Sequence, residues 1–244
     1  MTDAVPVAFH WSGGKDSAHA LGRLLDDDRH DVRCLVTTVH ASRDESTVHG
    51  VPTALLRAQA RAIGLPLRTV ELGSAGLDDY VAVMERASIR MRDEGIGAVA
   101  FGDQKHSGVL AYKQEQFEPL GLEIVEPLWA MSPTECLQDF LASGTRALTV
   151  VVDAGVLGRG HLGRAVDRGF VDSLPVGCDP SGENGEYHSF VTDAPYFRHP
   201  VPVVPGEVEH IRRTIGTSDG PREYRYWRLH IRPDLPSTDH GAAT

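Results

Sequence analysis

The stretch Val5-Pro6-Val7-Ala8-Phe9-His10-Trp11-Ser12-Gly13-Gly14-Lys15-Asp16-Ser17-Ala18-His19-Ala20-Leu21 decides the fold. Val5 to Phe9 is a short apolar run of the kind that forms a buried strand, and it ends in a loop with two adjacent glycines. Beyond the loop, Ala18, Leu21, Leu24 and Leu25 recur at helical spacing. The pattern then repeats: Arg33 to Val39 as a strand, Pro52 to Ile63 as a helix opened by Pro in its first turn, and Leu67 to Glu71 as a strand. Leu77, Val81, Met84, Ala87 and Met91 mark a long amphipathic helix. A strand at Ala98 to Phe101, a helix from Val109 to Leu120 and a strand at Glu123 to Val125 follow. Five strands separated by helices predict an α/β fold with a doubly wound, mainly parallel five-stranded sheet, whose ligands sit beyond the carboxyl ends of the strands.

After Pro127 the rhythm changes. Ser132-Pro133-Thr134-Glu135 announces a helix with an N-cap, a Pro at its first position and a capping-box Glu, and Gly144 stops it. An apolar strand at Ala147 to Val152, a Gly-rich stretch and two alternating segments, Tyr187 to Thr192 and Tyr224 to Ile231, complete a smaller C-terminal α+β region. The expected division is a first domain over 1–128, a second domain over 129–236 and a flexible tail over 237–244.

The 244 residues, 41% of them hydrophobic, supply a genuine core. No run approaches the roughly 18 apolar residues of a membrane span, and the first residues lack the features of a signal peptide, so a cytoplasmic protein without membrane contact is expected. A net charge of −10 argues against binding nucleic acid by counterion release. Cys34, Cys136 and Cys178 are far apart, which suggests reduced thiols rather than a zinc site or redox pair. A homodimer is compatible with this composition.

The turn Ser12-Gly13-Gly14-Lys15-Asp16-Ser17 has the chemistry of an anion cradle. Its glycines let backbone N–H groups approach phosphate oxygens, and the following helix adds the positive end of its dipole. Ser12 and Ser17 add hydroxyls and Lys15 an ammonium, while Asp16 is a carboxylate suited to Mg²⁺ held jointly with nucleotide phosphates. The spacing is not that of a Walker A loop, and a plain strand-to-helix turn is the competing reading.

At these residues the chain resembles the PP-loop ATP pyrophosphatases of the adenine nucleotide alpha hydrolase-like, HUP-like group, whose signature SGGxDS is matched from Ser12 to Ser17. The resemblance implies ATP cleavage between the α and β phosphates, with a substrate oxygen adenylylated and pyrophosphate released. His49-Gly50, Phe101-Gly102-Asp103 and Gly182-Glu183-Asn184-Gly185-Glu186-Tyr187-His188 further resemble the diphthine–ammonia ligase branch, from Val7 to about Phe197. That likeness implies an ATP- and Mg²⁺-dependent amide ligase in which a small-molecule or protein carboxylate is activated and captured by ammonium. Lys15 and Asp16 are the catalytic candidates in the loop. Glu183, Glu186 and His188 are those in the second motif, where carboxylates in a glycine-bearing turn can hold or deprotonate ammonium and a histidine can exchange protons near neutrality. Gly182, Asn184 and Gly185 join Glu183 and Glu186 as substrate-binding candidates. Thr38, His49, Gly50, Gly102 and Asp103 join the loop as nucleotide-binding candidates, with helix capping by Asp103 as the alternative.

The chain also departs from that branch. Gln104 to Val109 replaces a run like IFLEDL, removing two acids and adding Lys105 and His106, and Ser181 stands where relatives often carry Cys. The Gly-rich segment Gly155 to Gly169 is a candidate for a part that closes over the nucleotide. Within it, Gly158-Arg159-Gly160-His161-Leu162-Gly163 fits GxGxxG and raises a dinucleotide-binding oxidoreductase as a rival. Two further rivals keep the loop: an enzyme modifying a tRNA base, and a nucleotide sensor without turnover.

Overall fold

The computed structural model describes residues 4–47, 49–73, 77–104, 109–217 and 220–234. The tail expected beyond residue 236 and the altered positions Lys105 and His106 lie outside them. Five parallel strands form the first sheet in the order β4 (Leu67–Leu72), β2 (His30–His40), β1 (Val5–His10), β5 (Ala98–Ala100) and β6 (Glu123–Val125). A two-residue strand, β3 (Glu45–Ser46), pairs antiparallel with the end of β2 and makes the sheet six-stranded. Strands β2 and β4 lie to one side of β1, and β5 and β6 to the other. The carboxyl end of β1 is therefore the point where the winding reverses and a crevice opens.

The helices between these strands are α1 (Lys15–Leu25), α2 (Thr53–Ile63), α3 (Leu77–Asp93) and α4 (Val109–Phe117). On α1 Ala18, Leu21 and Leu24 are buried, as the spacing predicts, each fully buried Leu contributing roughly 2 kcal/mol, whereas Leu25 at the end of the helix is exposed. Pro52 caps α2 rather than entering it. The helix expected to reach Leu120 ends at Phe117, because Pro119 cannot continue the α pattern and a 3-10 turn covers Glu118–Leu120.

The second sheet is antiparallel, in the order β8 (Tyr187–Asp193), β7 (Arg146–Asp153), β10 (Gly220–Pro233) and β9 (Val203–Thr217). Ahead of it, α5 (Pro133–Ala142) opens on Ser132 with both halves of the capping box made. The short α6 (Arg168–Val171) starts on Asp167, whose side chain accepts from the Phe170 N–H. Sequence reading missed β9, whose residues alternate poorly and are largely exposed at the sheet edge. One core cluster joins Val7, Phe9 and Leu55 of the first sheet layer to Val150, Phe190 and Leu229 of the second.

The Gly-rich segment Gly155 to Gly169 runs beside β7: Gly163 N–H donates to Thr149 O at 2.8 Å and Val166 N–H to Ala147 O at 2.9 Å. Gly158 opens only a 3-10 turn at Arg159–His161, and no βαβ unit follows. The GxGxxG match therefore has no dinucleotide-binding context.

Candidate functional site

A cavity of about 450 Å³ opens at the carboxyl end of β1. One wall is the turn Ser12–Ser17. Gly13 holds φ at +80°, a region that L side chains avoid, and this lets the chain leave β1 and enter α1 within four residues. Gly102 packs straight onto the start of α1, where an added Cβ would lie 2.6 Å from Ser17 Cα. The turn is held by hydroxyls: Ser12 Oγ donates to Ser17 Oγ at 3.0 Å, Ser17 Oγ to Gly14 O at 3.0 Å, and Ser12 Oγ accepts from Gly14 N–H at 3.3 Å. Ser189 on β8 accepts from the Lys15 N–H at 3.1 Å, capping α1 from the other sheet. These are partners that phosphate oxygens can replace.

Lys15 is 4% exposed, with Nζ 2.6 Å from Asp16 Oδ1 and 3.8 Å from Glu183 Oε1. Burial alone lowers its pKa, but Asp16, Tyr187 and Glu183 outweigh burial and leave it raised, so the ammonium is permanent. Gln104 Nε2 donates to Asp16 Oδ1 at 3.1 Å. Burial, reinforced by the charge of Asp16 and opposed by Lys15, pushes the Glu183 carboxyl up to about 7.

The other glutamate of that turn has different partners. Glu186 Oε1 accepts from the Asp179 N–H at 2.9 Å and from Asn184 Nδ2 at 3.2 Å, and Oε2 from the Asn184 N–H at 3.0 Å. Burial would raise its pKa, but these donors prevail and lower it. Neither Glu186 nor Asn184 lines the cavity.

Of the residues singled out by sequence, Ser12, Gly14, Lys15, Asp16, Ser17, Thr38, His49, Gly102, Asp103, Gly182, Glu183, Gly185 and His188 share the cavity wall. Gly13 and Gly50 do not; Gly50 packs instead against the Arg228 side chain. His49 stacks on His188 with centroids 4.5 Å apart. Burial and Lys15 push His188 down to about 4, so it is neutral at pH 7 and not the neutral-range proton carrier expected. Burial and the neighbouring His188 likewise keep His49 neutral. Asp103 is ion-paired with Lys113 of α4, which also binds Glu126. No local pattern marks Lys113, His10 or Ser189 as cavity residues, because they arrive from α4, β1 and β8 through the tertiary fold. None of the residues from Gly155 to Gly169 lines the cavity.

A glycine turn at the reversal point of a parallel sheet, with a buried lysine and hydroxyls around the head of a helix, defines a PP-loop protein. Its sequence matches the diphthamide synthase N-terminal domain over residues 5–124 and the diphthamide synthase C-terminal domain over 132–219. The chain belongs to this family and is a ligase. It is 27% identical over 214 residues to a diphthine–ammonia ligase of Danio rerio, covering 77% of this chain and 82% of that protein. It is 32% identical over 96 residues to one of Schizosaccharomyces pombe, covering 37% of this chain but only 16% of that much longer protein. A U34-tRNA thiolase of Methanococcus maripaludis with a 4Fe-4S cluster aligns over 58% of each chain, at 16% identity and a TM-score of 0.39, too distant to bear on the site. Among the described residues no helix is long and apolar enough to cross a membrane.

Proposed function

We propose that the chain is an ATP-dependent ligase that adenylylates a carboxylate and transfers the acyl group to ammonia, forming AMP, pyrophosphate and an amide. The observation that carries this reading is the approach of Glu183 to Lys15, 3.8 Å apart in one cavity, which sets a phosphate-binding turn against an acidic one. In the first step a carboxylate oxygen attacks the α phosphorus, and the bond to the β-phosphate oxygen breaks. The Gly14 and Lys15 amides and the Lys15 ammonium meet the charge that gathers on the pyrophosphate. In the second step ammonia attacks the acyl carbon and AMP departs with its oxygen. Glu183, poised near neutrality, takes the proton that ammonium must lose to become a nucleophile. His49 and His188, both neutral, add no positive charge that would repel ammonium.

Mg²⁺ fits one carboxylate better than a cage. Among the described residues no group of three or more His, Cys, Asp or Glu side chains is arranged for a metal, so a magnesium ion shared between Asp16 and phosphates is the arrangement the residues favour. Bound there, it would neutralise phosphate charge.

The test is to incubate the protein with ATP, Mg²⁺, ammonium and a panel of carboxylates that includes modified elongation factor, and to follow products by mass spectrometry. AMP and an amide appearing together are expected. ADP as the sole nucleotide product, or ATP binding without turnover on any acceptor, overturns the reading.

A further inference from the structure

Gln59 sits on α2, wholly buried, and lines no part of the cavity. Its amide is nevertheless fully engaged with the catalytic frame. Nε2 donates to Gly13 O at 3.1 Å and to Val191 O at 2.7 Å, while Oε1 accepts from the Trp11 indole N–H at 2.9 Å. Val191 N–H donates to the same Gly13 carbonyl at 2.9 Å. One side chain thus ties together the end of β1, the phosphate turn and β8, the strand that also carries His188 and Ser189. The fit is close: an added Cβ on Gly13 would lie 2.8 Å from Gln59 Oε1.

The neighbouring α2 residues Leu55, Leu56, Ala60 and Ile63 are buried and apolar, so packing alone asks for an apolar side chain here. A buried amide is tolerated only when its donors and acceptor are satisfied, and these are satisfied by the turn and by β8. The Gly13 carbonyl belongs to the peptide whose N–H is that of Gly14, so fixing one aims the other at the phosphate position.

We propose that Gln59 is a positioning residue for the nucleotide step. Its amide sets the direction of the loop N–H groups and couples the turn to the strand that bears His188 and Ser189. The inference rests on the turn being the nucleotide site. Gln59→Glu keeps the shape but points a carboxylate at two carbonyl oxygens; Gln59→Leu removes all three bonds; Ile63→Val is a control on the same helix.

The experiment combines Mg-ATP titration by calorimetry with hydrogen exchange over residues 12–17 and 187–191. Both Gln59 variants are expected to bind Mg-ATP on the order of tenfold more weakly, and both segments to exchange faster together, while Ile63→Val behaves as wild type. Gln59→Glu should recover affinity as pH falls, because a protonated carboxyl can donate one of the lost bonds, and Gln59→Leu should not. Wild-type affinity and wild-type protection in Gln59→Leu overturn the inference. If that variant does not fold, Gln59→Met supplies the same comparison. Wild-type protein that binds no Mg-ATP overturns the functional reading instead. In that case unchanged protection of residues 12–17 in the Gln59 variants separately overturns the coupling.

Discussion

The phosphate turn and the acidic turn face each other across one cavity, yet they use backbone and side chain in opposite ways. In Ser12–Ser17 the backbone is the working part: its N–H groups are aimed by Gly13, by the close approach of Gly102 and by serine hydroxyls. From Asp179 to Tyr187 the backbone is scaffold. It winds around the Glu186 carboxylate, the Asp179 side chain accepts from the Ser181 N–H at 2.9 Å, and Tyr187 Oη donates to Pro180 O at 2.8 Å. What that winding achieves is to present Glu183 to Lys15. Two carboxylates of one turn thus have different surroundings: Glu183 faces Lys15, and Glu186 is held by backbone amides.

The largest effect should come from the phosphate side. Lys15→Ala removes the buried cation proposed to meet the departing pyrophosphate, and on that proposal kcat for AMP formation should fall roughly a thousandfold, about 4 kcal/mol. The thermal midpoint should change far less in proportion, since the variant also relieves the burial of the ammonium. A kcat within tenfold of wild type would show that the turn grips nothing in the transition state.

Glu183→Gln tests the other side and should lower amide formation about a hundredfold while ATP affinity holds. In the wild type the rate should rise with pH through about 7 as the Glu183 carboxyl loses its proton, and this limb should vanish in the variant. Because the folded-state pKa is raised, the folded protein holds this proton where the unfolded chain has lost it. Stability therefore falls as pH climbs from the usual carboxylate range to about 7, and Glu183→Gln should flatten that slope. A pH profile identical in both proteins would remove Glu183 from proton transfer.

The contrast between the turns also explains what could be read from sequence. The parallel core and the phosphate turn were legible because their causes are local: an apolar run, two glycines and a helical repeat within twenty-five residues. The capping box at Ser132 was legible for the same reason. Motif spacing brought Glu183 and Glu186 forward together but could not separate them, since their difference lies in which backbone amides fold back on Glu186 and in how Lys15 is buried against Glu183. Lys113 and Gln59 carry no local mark at all, because they act on residues 10 and 46 positions away along the chain. The edge strand β9 was missed because exposure on its outer side blurs the alternation that reveals a half-buried strand.

The smallest effect, and the one that most sharpens the division of labour, belongs to the scaffold. Glu186→Gln keeps one acceptor oxygen but sets an NH₂ group against a backbone donor, at a cost of about 2 kcal/mol in stability. Asn184→Ala removes only the 3.2 Å side-chain bond to Glu186, at a cost of about 1 kcal/mol or less. Both should appear in denaturant melts before they appear in kcat. The pH signature should oppose that of Glu183: the Glu186 pKa is lowered, so its contribution is complete above the usual carboxylate range and is lost as pH falls through the lowered value. Acid titration of wild type against Glu186→Gln should therefore converge at low pH. Because Glu183 is presented by the turn that Glu186 holds, any loss of activity in Glu186→Gln should reverse when the turn is stabilised by cooling or osmolyte. Loss that persists in the folded protein would assign Glu186 to the chemistry and erase the distinction between the two carboxylates.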